Sequence, residues 1–360
     1  MITKTQIRGG IDFIMITARE IFKIMKSTER PPRIPFIPTF YEHAARVINK
    51  TPTMVARDEN LLVESQLKCF DLYDHDLISV GVDIYNVECE ALGAEVNYFP
   101  ASEKIPSIEE SLVTNEEDLD TLQIPDPQKD GRMPMFINAA DRINKKVGKK
   151  VPVNGTITGP FTLAAKMRGF ENYIMDLVTN TDFALKLLDF AKKVGLKFAQ
   201  AFNKKGVGVA INDSWITPPL LSPDLYKEHV FSVQKDMIQE MKNKGINSVA
   251  LISGGNTNPI APQLVKTGSS LLIADYNADH SYYKKLCNKN DIFLRANINS
   301  EFVESGSQEK MKYAVKEVLK KCSDYYGLIF GCGVVSYDTP VENVLKLKEI
   351  FQELEKEYIN

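Results

Sequence analysis

The sequence predicts a (β/α)8 TIM barrel formed by one domain, residues 1–360, with an N-terminal helical extension and a loop insertion near the barrel mouth. Eight short apolar segments, counted from residue 35, mostly alternate with segments of helical spacing over about 330 residues, which suits this fold. The last segment, 327–335, carries a polar residue framed by two glycines, the pattern of a strand that opens onto a site. No GxGxxG follows a strand and no P-loop is present, so a doubly wound open sheet is disfavoured.

The N-terminal extension covers residues 1–30 and contains an apolar segment, 11–25, that is rich in Ile, Met and Phe. Four charged residues interrupt this segment: Asp12, Arg19, Glu20 and Lys23. The segment is therefore predicted to form an amphipathic helix and not a signal sequence or a membrane span.

The first strand, 35–40, contains prolines at positions 35 and 38, which cannot donate to a ladder and predict a short or irregular strand. The other predicted strands are 77–85, 151–158, 207–212, 247–253, 271–275, 292–298 and 327–335. Helices are predicted at 55–75, 134–147, 159–168, 181–204, 223–244 and 339–358. Residues 92–132 are acidic and proline-rich, which indicates an insertion, a possible lid, across the mouth.

Composition narrows the class of protein. The chain has a net charge of −3, with 44% hydrophobic and 25% charged residues, as is ordinary for a soluble globular protein. No stripe of Lys and Arg is apparent, so neither nucleic acid nor a membrane is expected as a partner. Five cysteines without CxxC spacing favour reduced thiols and a cytoplasmic location over a disulfide framework.

Polar residues at the ends of the predicted strands are the candidates for chemistry, because a barrel presents its functional groups there. Asp83 and Asp213 are the candidate catalytic carboxylates, and the alternative for each is a helix cap or an ion pair with an arginine. His43 is a candidate general acid, or else a structural histidine. The predicted substrate-binding residues, several of them at strand ends, are Tyr41, Asn86, Glu88, Asn154, Trp215, Asn256, Asn297 and Cys332.

Four segments carry a resemblance to a known family: 158–164 (TGPFTLA), 221–229 (LSPDLYKEH), 254–260 (GGNTNPI) and 330–344 (FGCGVVSYDTPVENV). Together they resemble the uroporphyrinogen decarboxylase-like superfamily, and more closely its cobamide-dependent methyltransferase branch. The resemblance implies a (β/α)8 barrel with the active site at its mouth, which agrees with the count of strands.

The decarboxylase signature Arg-Gln-Ala-Gly-Arg-Tyr, which binds substrate carboxylates, is replaced here by residues 41–46 (YEHAAR). The family's tyrosine and histidine positions correspond to Lys166 and Cys332, and only the aspartate is shared, at Asp83. Porphyrinogen decarboxylation is therefore not expected.

The thiol-directed methyltransferases of the other branch hold zinc with a His-x-Cys pair and a further Cys. The first two positions correspond to Ile252 and Gly254, and only Cys332 remains. A single thiolate cannot form a three-ligand zinc site, so zinc is predicted to be absent there. A different ligand set that joins Cys332 to His43, Glu88 or Asp213 has no supporting spacing.

The resemblance implies a methyltransferase of anaerobic one-carbon metabolism that works with a corrinoid (cobamide) cofactor carried by a separate corrinoid protein. Its small molecule is expected to be a methylated donor or a non-thiol acceptor, with tetrahydrofolate as one possibility. Two alternatives stay open: a decarboxylase-like lyase that acts on a small acid, and a non-catalytic member of the fold that binds a corrinoid protein.

Overall fold

The computed structural model describes residues 16–359. Seven strands form one parallel sheet in this part of the chain, and each strand is hydrogen-bonded to the next in sequence order. The strands are β1 (Ile78–Val80), β2 (Val153–Thr158), β3 (Gly208–Asn212), β4 (Val249–Ile252), β5 (Leu271–Ala274), β6 (Phe293–Ile298) and β7 (Leu328–Cys332). All seven lie within strands predicted from the sequence.

Helices fill the connections between the strands. They are α1 (Ala18–Lys26), α2 (Glu42–Val47), α3 (Pro52–Ala56), α4 (Glu59–Tyr73), α5 (Val87–Ala91), α6 (Glu116–Thr121), α7 (Met133–Val147), α8 (Pro160–Arg168), α9 (Phe170–Thr179), α10 (Thr181–Asn203), α11 (Pro223–Leu225), α12 (Phe231–Asn243), α13 (Ala261–Leu264), α14 (His280–Lys289), α15 (Ser300–Glu304), α16 (Gln308–Cys322) and α17 (Val341–Ile359). The predicted helix 223–244 is interrupted by a π-helical turn at Tyr226–Val230. The predicted helix 55–75 is divided between α3 and α4.

Residues 35–39 take the place of an eighth strand between β7 and β1. Isolated parallel bridges join Phe36 to Phe330 and Thr39 to Val334. On the other side, the backbone N–H of Asp76, just before β1, donates to the carbonyl of Phe36 at 3.0 Å. The prolines prevent a continuous ladder, so the expectation of an irregular first strand is confirmed, and so is the (β/α)8 barrel.

Helix α1 closes the amino-terminal end of the barrel. A capping box between Thr17 and Glu20 fixes its first turn. Its apolar face places Ile21 and Met25, both 0% exposed, against inward-facing residues at the bottom of the barrel. The predicted amphipathic helix is confirmed over its described part, and residues 11–15 lie outside the described residues.

The predicted insertion, 92–132, is mostly loop. Asn97 and Ser107 form an antiparallel bridge in it, and α6 follows with its own capping box from Asn115. The side-chain amide of Asn86 donates to the carbonyl of Pro106 at 2.6 Å and ties the insertion to the barrel. Among residues 16–359, none of the helices combines the length and the apolar composition that a membrane span requires.

Candidate active site

A cavity of about 520 Å³ opens at the carboxyl ends of the strands, where the barrel fold predicts the site. Alternation along the strands turns Ser79, Asn212, Ile252, Ile273 and Arg295 inward. Residues 105–108 of the insertion form part of its wall. The polar side chains around it belong to Thr39, Tyr41, Glu42, Ser79, Asp83, Tyr85, Asn86, Ser107, Lys166, Asn212, Ser214, Asp275, Arg295 and Asn297.

Glu42 is the carboxyl group in this cavity that is best suited to proton transfer. It is the first residue of α2 and lies directly after the irregular first strand. Burial raises the pKa of Glu42 to about 7, and its own backbone N–H opposes the shift. A carboxyl group that titrates near neutrality can act as an acid or as a base at physiological pH. Burial also raises the pKa of the neighbouring Tyr41, which therefore stays a neutral phenol.

Asp83 lines the cavity but is committed to an ion pair. The guanidinium of Arg132 donates to both carboxylate oxygens, at 2.9 and 2.8 Å. Arg132 also pairs with Glu90. Burial disfavours charged Arg132, but Asp83 and Glu90 outweigh it and raise the pKa of Arg132 above its ordinary value. The geometry thus fits the alternative weighed for Asp83, an ion pair with an arginine.

Asp213 is fully buried behind the cavity wall and holds three elements together. One carboxylate oxygen accepts from the backbone N–H and the hydroxyl of Thr162, at 2.8 and 2.7 Å. The other accepts from Gln234 at 2.7 Å, and Gln234 in turn accepts from Tyr226 in the π-helical turn. The close approach of Asp213 leaves room only for glycine at position 159. This placement favours a structural role for Asp213, which joins these elements by hydrogen bonds, over a catalytic role.

His43 and Glu88 are also buried outside the cavity lining. The His43 ring lies 2.8 Å from the hydroxyl of Tyr73 and 3.2 Å from the carbonyl of Ser336. Burial lowers the pKa of His43 to about 4, so the ring is neutral at physiological pH. Glu88 accepts from the backbone N–H and the hydroxyl of Thr158, at 2.6 and 2.8 Å. Both side chains connect elements that surround the cavity.

Three predicted site residues lie away from the expected position. Asn154 is the second residue of β2, so its predicted placement at the carboxyl end of a strand is wrong. Asn256 is exposed and accepts from the backbone of Asn258. Cys332 shares its face of β7 with Phe330, which packs on the outer helix α17, and is 0% exposed. The alternation of the strand therefore turns its thiol towards the helices.

Trp215 contributes to the site indirectly. It lies beside the cavity-lining residue Ser214 and packs edge-on against Phe170, with ring centroids 5.3 Å apart. The ammonium group of Lys166, which lines the cavity, lies 5.6 Å from the centre of the Trp215 ring. Burial lowers the pKa of Lys166, and contact with the aromatic face partly offsets that cost.

The residues at the family's zinc position do not fit a zinc ion. Ile252 and Gly254 line the cavity and carry no donor atoms in their side chains. The thiol of Cys332 lies on the outer face of β7, and Cys332 is not among the residues that line the cavity. Within residues 16–359, no group of three or more His, Cys, Asp or Glu side chains is arranged to hold a metal.

Arg295, Asp275, Glu42 and Lys166 line the cavity but are not among the predicted site residues. Asp275 ends a predicted strand, so the signal used for Asp83 applies to it as well. Arg295 precedes the predicted Asn297 by two residues, and side chains at that spacing share a face of a strand. Glu42 closely follows the predicted strand 35–40, so the same signal applies to it, and Lys166 occupies the position of the family's tyrosine.

Comparison with known proteins is consistent with this architecture. A family model described as uroporphyrinogen decarboxylase (URO-D) matches residues 17–354. The methylcobamide:CoM methyltransferase MtbA of Methanosarcina mazei is 29% identical over 276 residues, which cover 76% of this chain and 78% of that protein. The uroporphyrinogen decarboxylase of Wigglesworthia glossinidia brevipalpis is 26% identical over 278 residues, which cover 74% of this chain and 75% of that protein. A solved methyltransferase structure from Methanosarcina mazei shares the fold, with a TM-score of 0.82, 24% identity, and coverage of 94% of this chain and 99% of that chain.

Proposed function

The chain belongs to the uroporphyrinogen decarboxylase family, and we propose that it is a corrinoid-dependent methyltransferase of that family. It transfers a methyl group between a small molecule in the cavity and the cobalt of a separate corrinoid protein. The observation that carries the proposal is the similarity to proteins named methylcobamide:CoM methyltransferases over most of the chain. The cavity supports it because its open mouth is where a corrinoid partner would face the small molecule.

The residues around the cavity have distinct tasks in this reaction. When the corrinoid protein is bound, its cobalt supplies or takes up the methyl group. Ala210, Ile252 and Ile273 give the small molecule an apolar surface. Glu42 is placed to take a proton from an acceptor, or to give one to a leaving group in the opposite direction. The segment 105–108 is proposed to act as a lid that keeps water from the reacting groups.

We propose a non-thiol molecule as the partner of this reaction, although several relatives are named for coenzyme M. An unactivated thiol has a pKa of about 8.5 and is mostly protonated at neutral pH. Neither Ile252 nor Gly254 has a side-chain donor atom that could hold a metal beside such a thiol. An acceptor whose proton Glu42 removes, such as an amine of a reduced folate, needs no metal.

The experiment is a methyl-transfer assay with an isotopically labelled methyl group on a corrinoid protein. Amines, reduced folates, alcohols and the thiols coenzyme M and homocysteine are offered as acceptors, and methylated amines and ethers as donors. We expect label to move to or from a non-thiol compound and not to a thiol. Carbon dioxide released from a small acid without any corrinoid would instead indicate the lyase.

Metal analysis is an independent test of whether the methyl acceptor is a thiol. Protein purified without chelators is expected to hold no stoichiometric zinc at the Ile252–Gly254 position. Stoichiometric zinc that disappears in Cys332→Ser, together with lost methylation of a thiol, would contradict the proposal and restore the function named for the relatives.

A further inference from the structure

Arg295 is a buried cation in the cavity whose hydrogen-bonding capacity is largely unused. The residue is 8% exposed and lines the cavity from the middle of β6. Its Nη1 donates to the hydroxyl of Thr39 at 3.0 Å. Its Nε has no hydrogen-bond partner within residues 16–359, and no carboxylate oxygen in that range lies within 4.0 Å of the guanidinium.

Arg132 is a buried arginine with a structural role, and its hydrogen-bond partners can be compared with those of Arg295. Arg132 is also 8% exposed, but it donates to two carboxylates, Asp83 and Glu90, and to the carbonyl of Ala56. A buried guanidinium normally needs such partners, because the burial of an unpaired charge is strongly unfavourable. Arg295 lacks them, and burial lowers its pKa.

Asp275, the carboxylate that partly opposes the effect of burial on the pKa of Arg295, makes its hydrogen bonds elsewhere. One carboxylate oxygen of Asp275 accepts from the backbone N–H of Gly255 at 2.8 Å. The other accepts from the amide of Asn297 at 3.3 Å. The amide oxygen of Asn297 is itself buried without a partner among the described residues. Arg295 therefore keeps an unpaired donor, Nε, and Asn297 keeps an unpaired acceptor, Oδ1, and of these two atoms only the donor suits an anion.

The backbone of β7 is shaped around this pair. A Cβ at position 331 would lie 2.8 Å from the amide oxygen of Asn297 and 3.2 Å from Cδ of Arg295. Glycine at that position leaves room for both side chains against the strand.

We propose that Arg295 is an anion-binding residue that holds a carboxylate or sulfonate group of the small molecule. That this molecule donates or accepts the methyl group rests on the proposed function, but the binding of the anion does not. Arg295 pairs in register with Ile273 and Ile329, one inward-facing layer below Asn297. The anionic group is therefore held at the floor, and the reacting part points to the mouth, where Glu42 begins α2.

The test is calorimetric titration of the full-length protein at constant ionic strength. Propanoate and ethanesulfonate serve as the anionic probes, and propanamide is the neutral probe of the same shape. We expect wild type to bind the anions at least tenfold more tightly than propanamide. Arg295→Met should lose at least tenfold in affinity for the anions and none for propanamide, and Arg295→Lys should recover part of the loss.

Arg142→Met is the matched control, since Arg142 pairs with Glu59 on the outer surface, and it should leave both affinities unchanged. Equal binding of anion and amide by wild type would overturn the proposal, and this comparison decides the matter even where Arg295→Met does not fold. If wild type transfers methyl groups but does not prefer anions, the anion-binding role of Arg295 is wrong and the proposed function stands. If wild type prefers anions but transfers no methyl group, the proposed function is wrong and the anion-binding role of Arg295 stands.

Discussion

Glu42 is the residue whose titration links the structure most directly to activity. Its pKa is raised to about 7 by burial, so it changes charge near neutral pH. In the direction that removes a proton from an acceptor, the ionised form is the active one. The rate should then rise between about pH 6 and pH 8 and level off above it.

Replacement of the carboxyl group gives the corresponding mutational prediction. Glu42→Gln should lower the rate of methyl transfer by about 10²–10⁴-fold and flatten the pH profile around neutrality. Steady-state rates at a series of pH values check both effects. Glu64→Gln on the exposed face of α4 is the control and should behave as wild type. A Gln variant that keeps the wild-type profile would remove Glu42 from the mechanism.

Asp83 is predicted to matter first for stability. Asp83→Asn leaves the buried Arg132 guanidinium without its bidentate partner, and breaking a buried ion pair in this way costs about 3–5 kcal/mol. Urea denaturation measures the free energy of unfolding. A variant as stable as wild type that has lost turnover would instead show that Asp83 acts in the chemistry.

The position of each candidate along and across its strand explains why the sequence predicted the site only in part. Asn154 lies inside the barrel but at the amino end of β2, and Cys332 lies at the carboxyl end of β7 but on the outer face. Asn297 has both the right face and the right end, and it lines the cavity. Depth and face depend on register with neighbouring strands, and a single strand does not encode that register.

At the scale of elements, the strands and helices were predictable because their signals are local. Apolar runs bounded by turn residues marked every strand, and two prolines predicted that 35–40 would be irregular. The π-helical turn at Tyr226–Val230 was not predictable, because local spacing does not encode the tertiary contacts made there, in which Tyr226 donates to Gln234 and Gln234 donates to Asp213. Tertiary contacts of this kind override local helical spacing.

Helix α1 gives a prediction at the same scale. Met25 is 0% exposed where the helix closes the bottom of the barrel, so Met25→Ala should destabilise the protein by about 2–5 kcal/mol through a cavity. Lys23→Ala, on the exposed face of the same helix, should change stability by less than about 0.5 kcal/mol. Equal effects of the two substitutions in thermal or urea unfolding would mean that α1 does not seal the barrel.

At the scale of the whole molecule, the barrel separates what holds the protein together from what does the chemistry. Aspartates and histidines that looked catalytic in the sequence, such as Asp213 and His43, connect elements outside the cavity. The cavity has a titrating carboxyl group, Glu42, near the mouth and a guanidinium, Arg295, at the floor, which has no carboxylate partner among residues 16–359. In the proposed function, a small molecule bound between them would face the open end, where a separate corrinoid protein would approach.

Methyl transfer is tested most directly by the absorption spectrum of the cobalt in a methylated corrinoid protein mixed with this protein. When the correct small acceptor is added, a rapid spectral change is expected as the methyl group leaves the cobalt. The change should be slowed by about 10²–10⁴-fold in Glu42→Gln. A spectrum that stays constant with every donor and acceptor of a broad panel, while the protein remains folded, would mean that the protein is not a corrinoid-dependent methyltransferase.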